Sequence, residues 1–569
     1  MPNTRPGFQT KLLTISCAAS TLVVMVLGCG PRPENSQTTA DRESPLETEQ
    51  VGPVLEGMGD FHHPISTDNE MAQRLFDQGM VLAYGFNHLE AERSFREAAR
   101  NDPECAMCYW GIAFVRGPNI NSMMDPESVP VAVEAMRKAE ELAAGASEQE
   151  QAYIAALSAR YVEDPPEDRS ELDRRYADAM REVTAAYPED LDAATLFAAS
   201  LMDTTPWDYW EADGSPKPIT EEIMTTLEGV LAQDPDHAGA AHFYIHAVEK
   251  ERPKLAEAAA DLLGDVAPGA GHLVHMPSHV YLRVGRYHDS TQANLDAVEA
   301  DDSYITQCRK QGLYPIAYMP HNWHYIWYSA SVEGRKELAL DAAREMSDRV
   351  DIENLREPGL GAVQHFWITP LYGYVRFGEW DEILAAPEPD EDLIYPRAVR
   401  HYARGMALLR TDRLDEAKQE LEQLETLAMD PTLEKVTVWD LNTTAALVDI
   451  AVEVLTGEIA AAENDFDTAI DALNSAMELE DELTYDEPPP WHQPVREVLG
   501  AVLLEGGKPA EAERVYREDL QKFPENGWSL LGLQQSLEAQ GKTDEAAETA
   551  ARFDTAWQFA DVTLTSSRL

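Results

Sequence analysis

The sequence predicts an all-α superhelical solenoid of about a dozen antiparallel helical hairpins. Three observations carry that prediction: small and aromatic residues recur at fixed spacing near both ends of the chain, prolines close the units, and weaker copies of the pattern lie between. At 569 residues with 44% hydrophobic and 8% aromatic content, the chain has ample apolar surface to bury each hairpin against its neighbours.

The N-terminus reads as an export signal. Arg5 and Lys11 supply a basic start, and LLTISCAASTLVVMVLG supplies an apolar run too short for a comfortable membrane span. The run ends in Val26-Leu27-Gly28-Cys29, which resembles a bacterial lipobox, so residues 1–28 are expected to be a lipoprotein signal peptide and Cys29 the lipidated first residue. Val is less usual than Leu at the first lipobox position, and an ordinary cleaved signal with an incidental cysteine is the alternative. Gly30 offers no acidic retention signal, which favours the outer membrane. The expected location is therefore the cell envelope, facing the periplasm. Residues 29–58 read as a flexible tether, because PRPENSQTTADRESPLETEQVG lacks apolar periodicity. Beyond Cys17 and Cys29 only Cys105, Cys108 and Cys308 remain, so one disulfide at most is possible and no cysteine framework holds the fold.

The repeat follows. In LFDQGMVLAYGFNHLEAERSFREAARNDP, Gly79, Ala91, Phe95, Ala98 and Pro103 stand where a tetratricopeptide repeat of about 34 residues has its Gly, Ala, aromatic, Ala and Pro. The small residues let two helices approach closely, and the proline stops the second helix before the next unit. Gly500, Ala512, Tyr516 and Pro524 repeat the spacing. Weaker copies lie between, at Gly405 and Ala417 and at Ala469, Leu473 and Ala476. Insertions interrupt the period at 203–218 and 486–494. The fold class is thus an all-α TPR-like solenoid, with one array over 59–390 carrying a histidine-rich groove and a second over 391–569.

Register decides what the histidines do. The first helix of each hairpin in such arrays lines the concave surface, and its second, fifth and ninth residues fall within about 60° of one another. In the unit starting at Gly271 those residues are His272, His275 and His279; in the unit starting at Pro320 they are His321, His324 and Tyr328. The unit starting near Gln364 contributes His365, Ile368 and Tyr372. Nine of the fifteen histidines lie between 237 and 324, which chance placement does not account for. One unit earlier, His242, His246 and Glu249 share a helical stripe, and a helical HxxxH pair chelates one metal ion. That stripe is expected to point partly toward the neighbouring hairpin, where it either meets the His272–His279 row or packs between repeats. Pro277 and Pro370 interrupt groove-lining helices and suggest a shaped pocket. Cys105 and Cys108 admit three readings: an exposed disulfide clip, a soft-metal site with Met107, or two buried thiols.

Two accounts of the groove stay open. In one, it binds a protein, peptide or small molecule through Arg283, Tyr328, His365, Tyr372 and Arg376, with nearby aromatics stacking on the ligand and the arginines holding an anionic group. In the other, His242, His246, Glu249, His272, His275, His279, His321 and His324 hold a divalent metal: zinc, copper or iron. The ligand account needs no cofactor. A formal charge of −57, from 102 acids against 45 bases, argues against nucleic acid or an anionic membrane as partner, leaving the lipid anchor as the membrane contact. No GxSxG, HExxH, P-loop or GxGxxG motif occurs, so the sequence identifies no reaction.

The blocks FNHLEAERSFREAARNDPECAMCYWGIAFVRGPNIN, HFYIHAVE, GHLVHMPSHVYLRVGRY and MPHNWHY together resemble a family of exported bacterial TPR lipoproteins of poorly defined function. The resemblance spans roughly residues 60–390. It implies fold and envelope location, and it maps the family's histidine blocks onto His242, His246, His272, His275, His279, His321 and His324; it implies no catalytic role.

Overall fold

A computed structural model of the chain describes residues 52–307 and 314–569. The signal segment, Cys29, most of the tether and Cys308 lie outside the described residues.

Among those residues the helices pair into twelve consecutive hairpins, and each pair packs along its length. The first is Glu70–Tyr84 with His88–Asn101, and the last is Gly527–Ala539 with Thr543–Ala556. The fold is an all-α TPR-like solenoid. Strand structure among the described residues is confined to Thr437–Val438 paired antiparallel with Asn442–Thr443, in register Thr437↔Thr443, plus two isolated bridges. No described helix is long and apolar enough to cross a membrane.

The repeat spacing works as the small residues require. A Cβ on Gly79 would lie 2.5 Å from the Phe95 ring, and one on Gly111 equally close, so Phe95 is wedged between two glycines of successive first helices. Tyr516 repeats the arrangement between Gly500 and Gly532, at 2.3 and 2.1 Å. One aromatic thus locks three helices together.

The register inferred from sequence holds in the middle of the chain. His237 caps the helix Ala238–Val248, its Nδ1 accepting from the Ala240 amide. The next unit begins at Gly271 and runs through Gly271–His275 and Pro277–Val284, jogged where Pro277 removes a hydrogen bond. Gly285 and Gly378 then end their helices in the left-handed region (φ 85° and 71°), where a Cβ would be strained.

The C-terminal hairpins return to pack on the middle ones. Trp528 Nε1 donates to the Ser331 carbonyl at 2.9 Å, and Asp561 accepts from the Lys336 and Glu337 amides. Contacts therefore cross residue 390 freely, and the described residues belong to one compact unit. The insertions fold inward as well: 203–218 carries Trp207 and 486–494 carries Glu487, both beside the histidines. The expected open groove is correspondingly replaced by a covered chamber.

Cys105 and Cys108 form a disulfide, buried at the start of the helix Ala106–Phe114. Of the three sequence readings the clip is correct, but it is not exposed.

Candidate metal centre

Six imidazoles meet in the chamber. His242 and His246 sit one turn apart on Ala238–Val248, and their rings reach His272 of the next hairpin at 5.0 and 6.5 Å between centroids. His272 lies 5.6 Å from His275, His275 lies 4.8 Å from His279, and His321 approaches both at 5.0 and 6.0 Å. The stripe that sequence left ambiguous between repeat packing and the histidine row does meet the row. All of these residues but His321, which is half-buried, are buried.

The rings form two all-imidazole sets of three, and a further group of His246, Glu249 and His279 overlaps both. His242, His246 and His272 each offer a ligand atom within 4.8 Å of the others; so do His275, His279 and His321. Glu249, also buried, stands between the sets: its Oε1 lies 3.2 Å from His246 Nδ1 and its Oε2 lies 2.8 Å from His279 Nδ1. The second contact lies off the hydrogen-bonding line and acts as an ion pair. Glu487 adds a second carboxylate 3.2 Å from His279 Nδ1 and accepts from Tyr325 OH at 2.7 Å.

Hydrogen bonds at the far side of three rings, His242, His246 and His275, select the tautomer. His242 Nδ1 donates to the Tyr84 carbonyl (2.5 Å). His275 Nδ1 donates to Asn294 Oδ1 (2.6 Å), and the amide is held that way round because Asn294 Nδ2 donates to the Ser290 carbonyl (2.7 Å). With Nδ1–H engaged on His242 and His246, each Nε2 presents a bare lone pair to the interior, whereas His275 Nε2 faces His279 Nε2 at 2.9 Å. Metal-bound histidines are held by the same device.

The interior then lacks a partner for those lone pairs. His242 Nε2, His246 Nε2, both nitrogens of His272 and His321 Nδ1 have no hydrogen-bond partner among the described residues. An unsatisfied buried polar atom costs about 1–3 kcal/mol, and five in one chamber is a cost that folded proteins rarely carry without a ligand.

Electrostatics follow from this crowding. Burial, reinforced by neighbouring imidazoles, holds His242, His272 and His321 well below the ordinary histidine range. His275 is lowered by burial and by His279 despite its bond to Asn294. His279 goes the other way: burial opposes its charge, but Glu249 and Glu487 outweigh it and push it up to about 10. Burial would raise Glu249, yet His279 and His246 hold it low. Because His275 Nδ1–H is engaged by Asn294, His279 Nε2 is the donor across the 2.9 Å gap to His275 Nε2.

Aromatic side chains roof the chamber. Trp207, held at φ 61° in its insertion, meets His246 edge-on at 5.1 Å; Tyr318, in the π-helical turn Tyr314–Tyr318, meets His272 at 5.0 Å; and Trp439, from the turn between the two short strands, meets His321 at 5.8 Å. Phe86 packs against His242, His246 and His272 from below. Beside His272 is a void of about 10 Å³, about the room one water needs. An open cleft of about 1430 Å³, lined in part by Phe61, His62, Asp77, Asp192 and His237, shares no residue with the cluster. Asp192 there is already paired with His63 at 2.7 Å and Tyr84 OH at 2.6 Å.

Several expected site residues are corrected. His324 does not join the cluster: its ring turns toward the next hairpin, 5.4 Å from His365 and 5.5 Å from Phe366. Arg376 is not an anion anchor, because its buried guanidinium pairs with Glu497 and lies 3.8 Å over the Trp528 ring. Arg283 is likewise engaged, donating to the Lys250 carbonyl at 2.9 Å and lying over Tyr485. Tyr328, His365 and Tyr372 are buried in the core and line no open groove; His365 Nδ1 bonds Tyr395 OH at 2.8 Å, and burial takes its pKa down to about 4. Missed from sequence were Asn294, Glu487 and the roofing aromatics Trp207, Tyr318 and Trp439. For Glu487 and Trp207 the signal was their place in insertions that break the repeat.

No protein-family model matches the chain, and no curated protein matches it either. Among solved structures the chain is similar to the human IFIT1 dimer with m7Gppp-AAAA, at 12% identity and TM-score 0.29, covering 86% of this chain and 91% of that one. It is similar to the APC/C hetero-tetramer Cut9-Hcn1 at 11% identity and TM-score 0.29, covering 85% and 87%. Yeast Tom70 is similar at 14% identity and TM-score 0.26, covering 87% and 93%. Likeness at this level carries no argument about function.

Proposed function

We propose that this protein is a metal-binding TPR-like solenoid whose buried histidine chamber holds a divalent transition metal. The observation that carries the reading is the set of imidazole nitrogens left bare in the interior, on His242, His246, His272 and His321, while Nδ1 of His242 and His246 is tied to a carbonyl and a carboxylate. All-imidazole donor sets suit zinc, copper and iron, and a nearby carboxylate offsets part of the added charge. The reading assigns no reaction. Metal analysis of protein purified without a histidine tag tests it. About one equivalent or more per chain, lost in His246→Ala and His275→Ala variants that still fold, is the expected result; metal content near zero, or unaffected by both substitutions, overturns it.

The chamber would serve at the cell envelope, with the chain tethered through a lipid on Cys29. The lipobox-like Val26-Leu27-Gly28-Cys29 and the resemblance to exported bacterial TPR lipoproteins support this. Replacing Cys29 with Ala is expected to leave a larger, unprocessed precursor and to change membrane association; an unchanged size and distribution contradicts anchoring. Binding of a protein, peptide or small ligand elsewhere on the solenoid is compatible with this reading, but the groove residues once assigned to it are buried.

A further inference from the structure

We infer that the chamber is a two-ion centre, with one metal held by His242, His246 and His272 and a second by His275, His279 and His321. This rests on the metal reading above and goes beyond it in number and arrangement. A single ion cannot collect all six imidazoles. Metal–nitrogen bonds of about 2.0–2.1 Å confine a three-histidine set to nitrogens about 3–4 Å apart. Each set of three lies within 4.8 Å, so a small inward shift brings it into range. Within the second set the closest pair, His275 Nε2 and His279 Nε2, already stands at 2.9 Å.

Glu249 gives the division its logic. One carboxylate oxygen faces Nδ1 of His246 and the other faces Nδ1 of His279, so the same side chain orients one ligand of each set from behind. Both rings then turn Nε2 away from Glu249 and toward different trios. The rings that face each other across the division are 5.5 Å apart for His246–His279 and 5.6 Å apart for His272–His275, so the two ions would be near neighbours. Glu249 and Glu487 together bring two negative charges to a site that would gain four positive ones. Three imidazoles per ion leave at least one coordination position open, as sites that exchange a ligand do and closed structural sites do not.

The experiment uses tag-free mature protein stripped with chelator and titrated with Co(II) to equilibrium, read by visible absorbance. Wild type is expected to saturate at two equivalents. His272→Ala and His321→Ala should each saturate at one, and the double variant should bind none. Circular dichroism and thermal melting confirm folding, with His272→Gln and His321→Gln as conservative partners where an alanine variant unfolds. Saturation of wild type at one equivalent, abolished by either single substitution, overturns the two-ion inference and leaves the metal reading standing. Two equivalents retained by the folded double variant overturn it also, since the ions then sit elsewhere. No uptake at all by folded wild type overturns the metal reading itself.

Discussion

Replacing Glu249 with Gln probes the centre without touching a ligand. The side chain keeps its shape but loses its charge and one acceptor oxygen, so at best it still accepts from Nδ1–H of His246, while the ion pair with His279 is lost and its amide points a donor at that ring. Losing such a carboxylate contact behind a metal-bound histidine costs about tenfold to hundredfold in affinity, or about 1.4–2.7 kcal/mol. At least one of the two binding steps should weaken by that factor. Asn294→Leu serves as the contrast, because Asn294 contacts His275 at 2.6 Å and lies in the second set's surroundings alone. It should weaken one step by a similar factor and leave the other within about twofold, the spread expected of a site that keeps its contacts. The assay is zinc competition against a chelating indicator of known affinity. If Glu249→Gln leaves both steps within about twofold of wild type while the fold is intact, the orienting role assigned to Glu249 is wrong.

Other consequences concern the scaffold. Gly500→Val should lower thermal stability by about 1–3 kcal/mol without altering metal content, because its Cβ would fall 2.3 Å from Tyr516; an unchanged melting temperature contradicts the wedge. Arg376→Met should cost about 3–5 kcal/mol by leaving buried Glu497 unpaired, with Arg376→Met/Glu497→Gln recovering part of the loss in chemical denaturation. A stability left unchanged by the single substitution would contradict the weight given to this buried pair. Glu480 is pushed up to about 8 by burial and by Asp519, against the pull of Arg496 and Lys522. Its folded-state pKa exceeds the unfolded one, so its contribution is complete below about pH 4.5 and is lost as pH rises through about 8. Unfolding free energy should therefore fall more between pH 6 and 8 in wild type than in Glu480→Gln; equal slopes refute the assignment.

What sequence disclosed and what it hid divide along the range of the interactions. The hairpins were legible because glycine at position 79 or 500 and an aromatic sixteen residues later must touch whenever the two helices pack. The convergence of His272, His275, His279 and His321 was legible because helical periodicity is local. His324 was misjudged although it obeys the same period, since the next hairpin draws its ring to the other side of its helix. Arg376 looked available only because its partner Glu497 lies 121 residues away. The covering of the groove could not be read for the same reason. Repeat spacing describes each hairpin and its neighbour, whereas Trp207, Trp439 and Glu487 reach the histidines from segments that the period leaves out.

X-ray absorption of the metal-loaded protein bears on the centre most directly. Imidazole coordination predicts a nitrogen shell at about 2.0–2.1 Å with the outer-ring scattering of several histidines. A shell of oxygen without ring scattering, or of sulfur at about 2.3 Å, would contradict it.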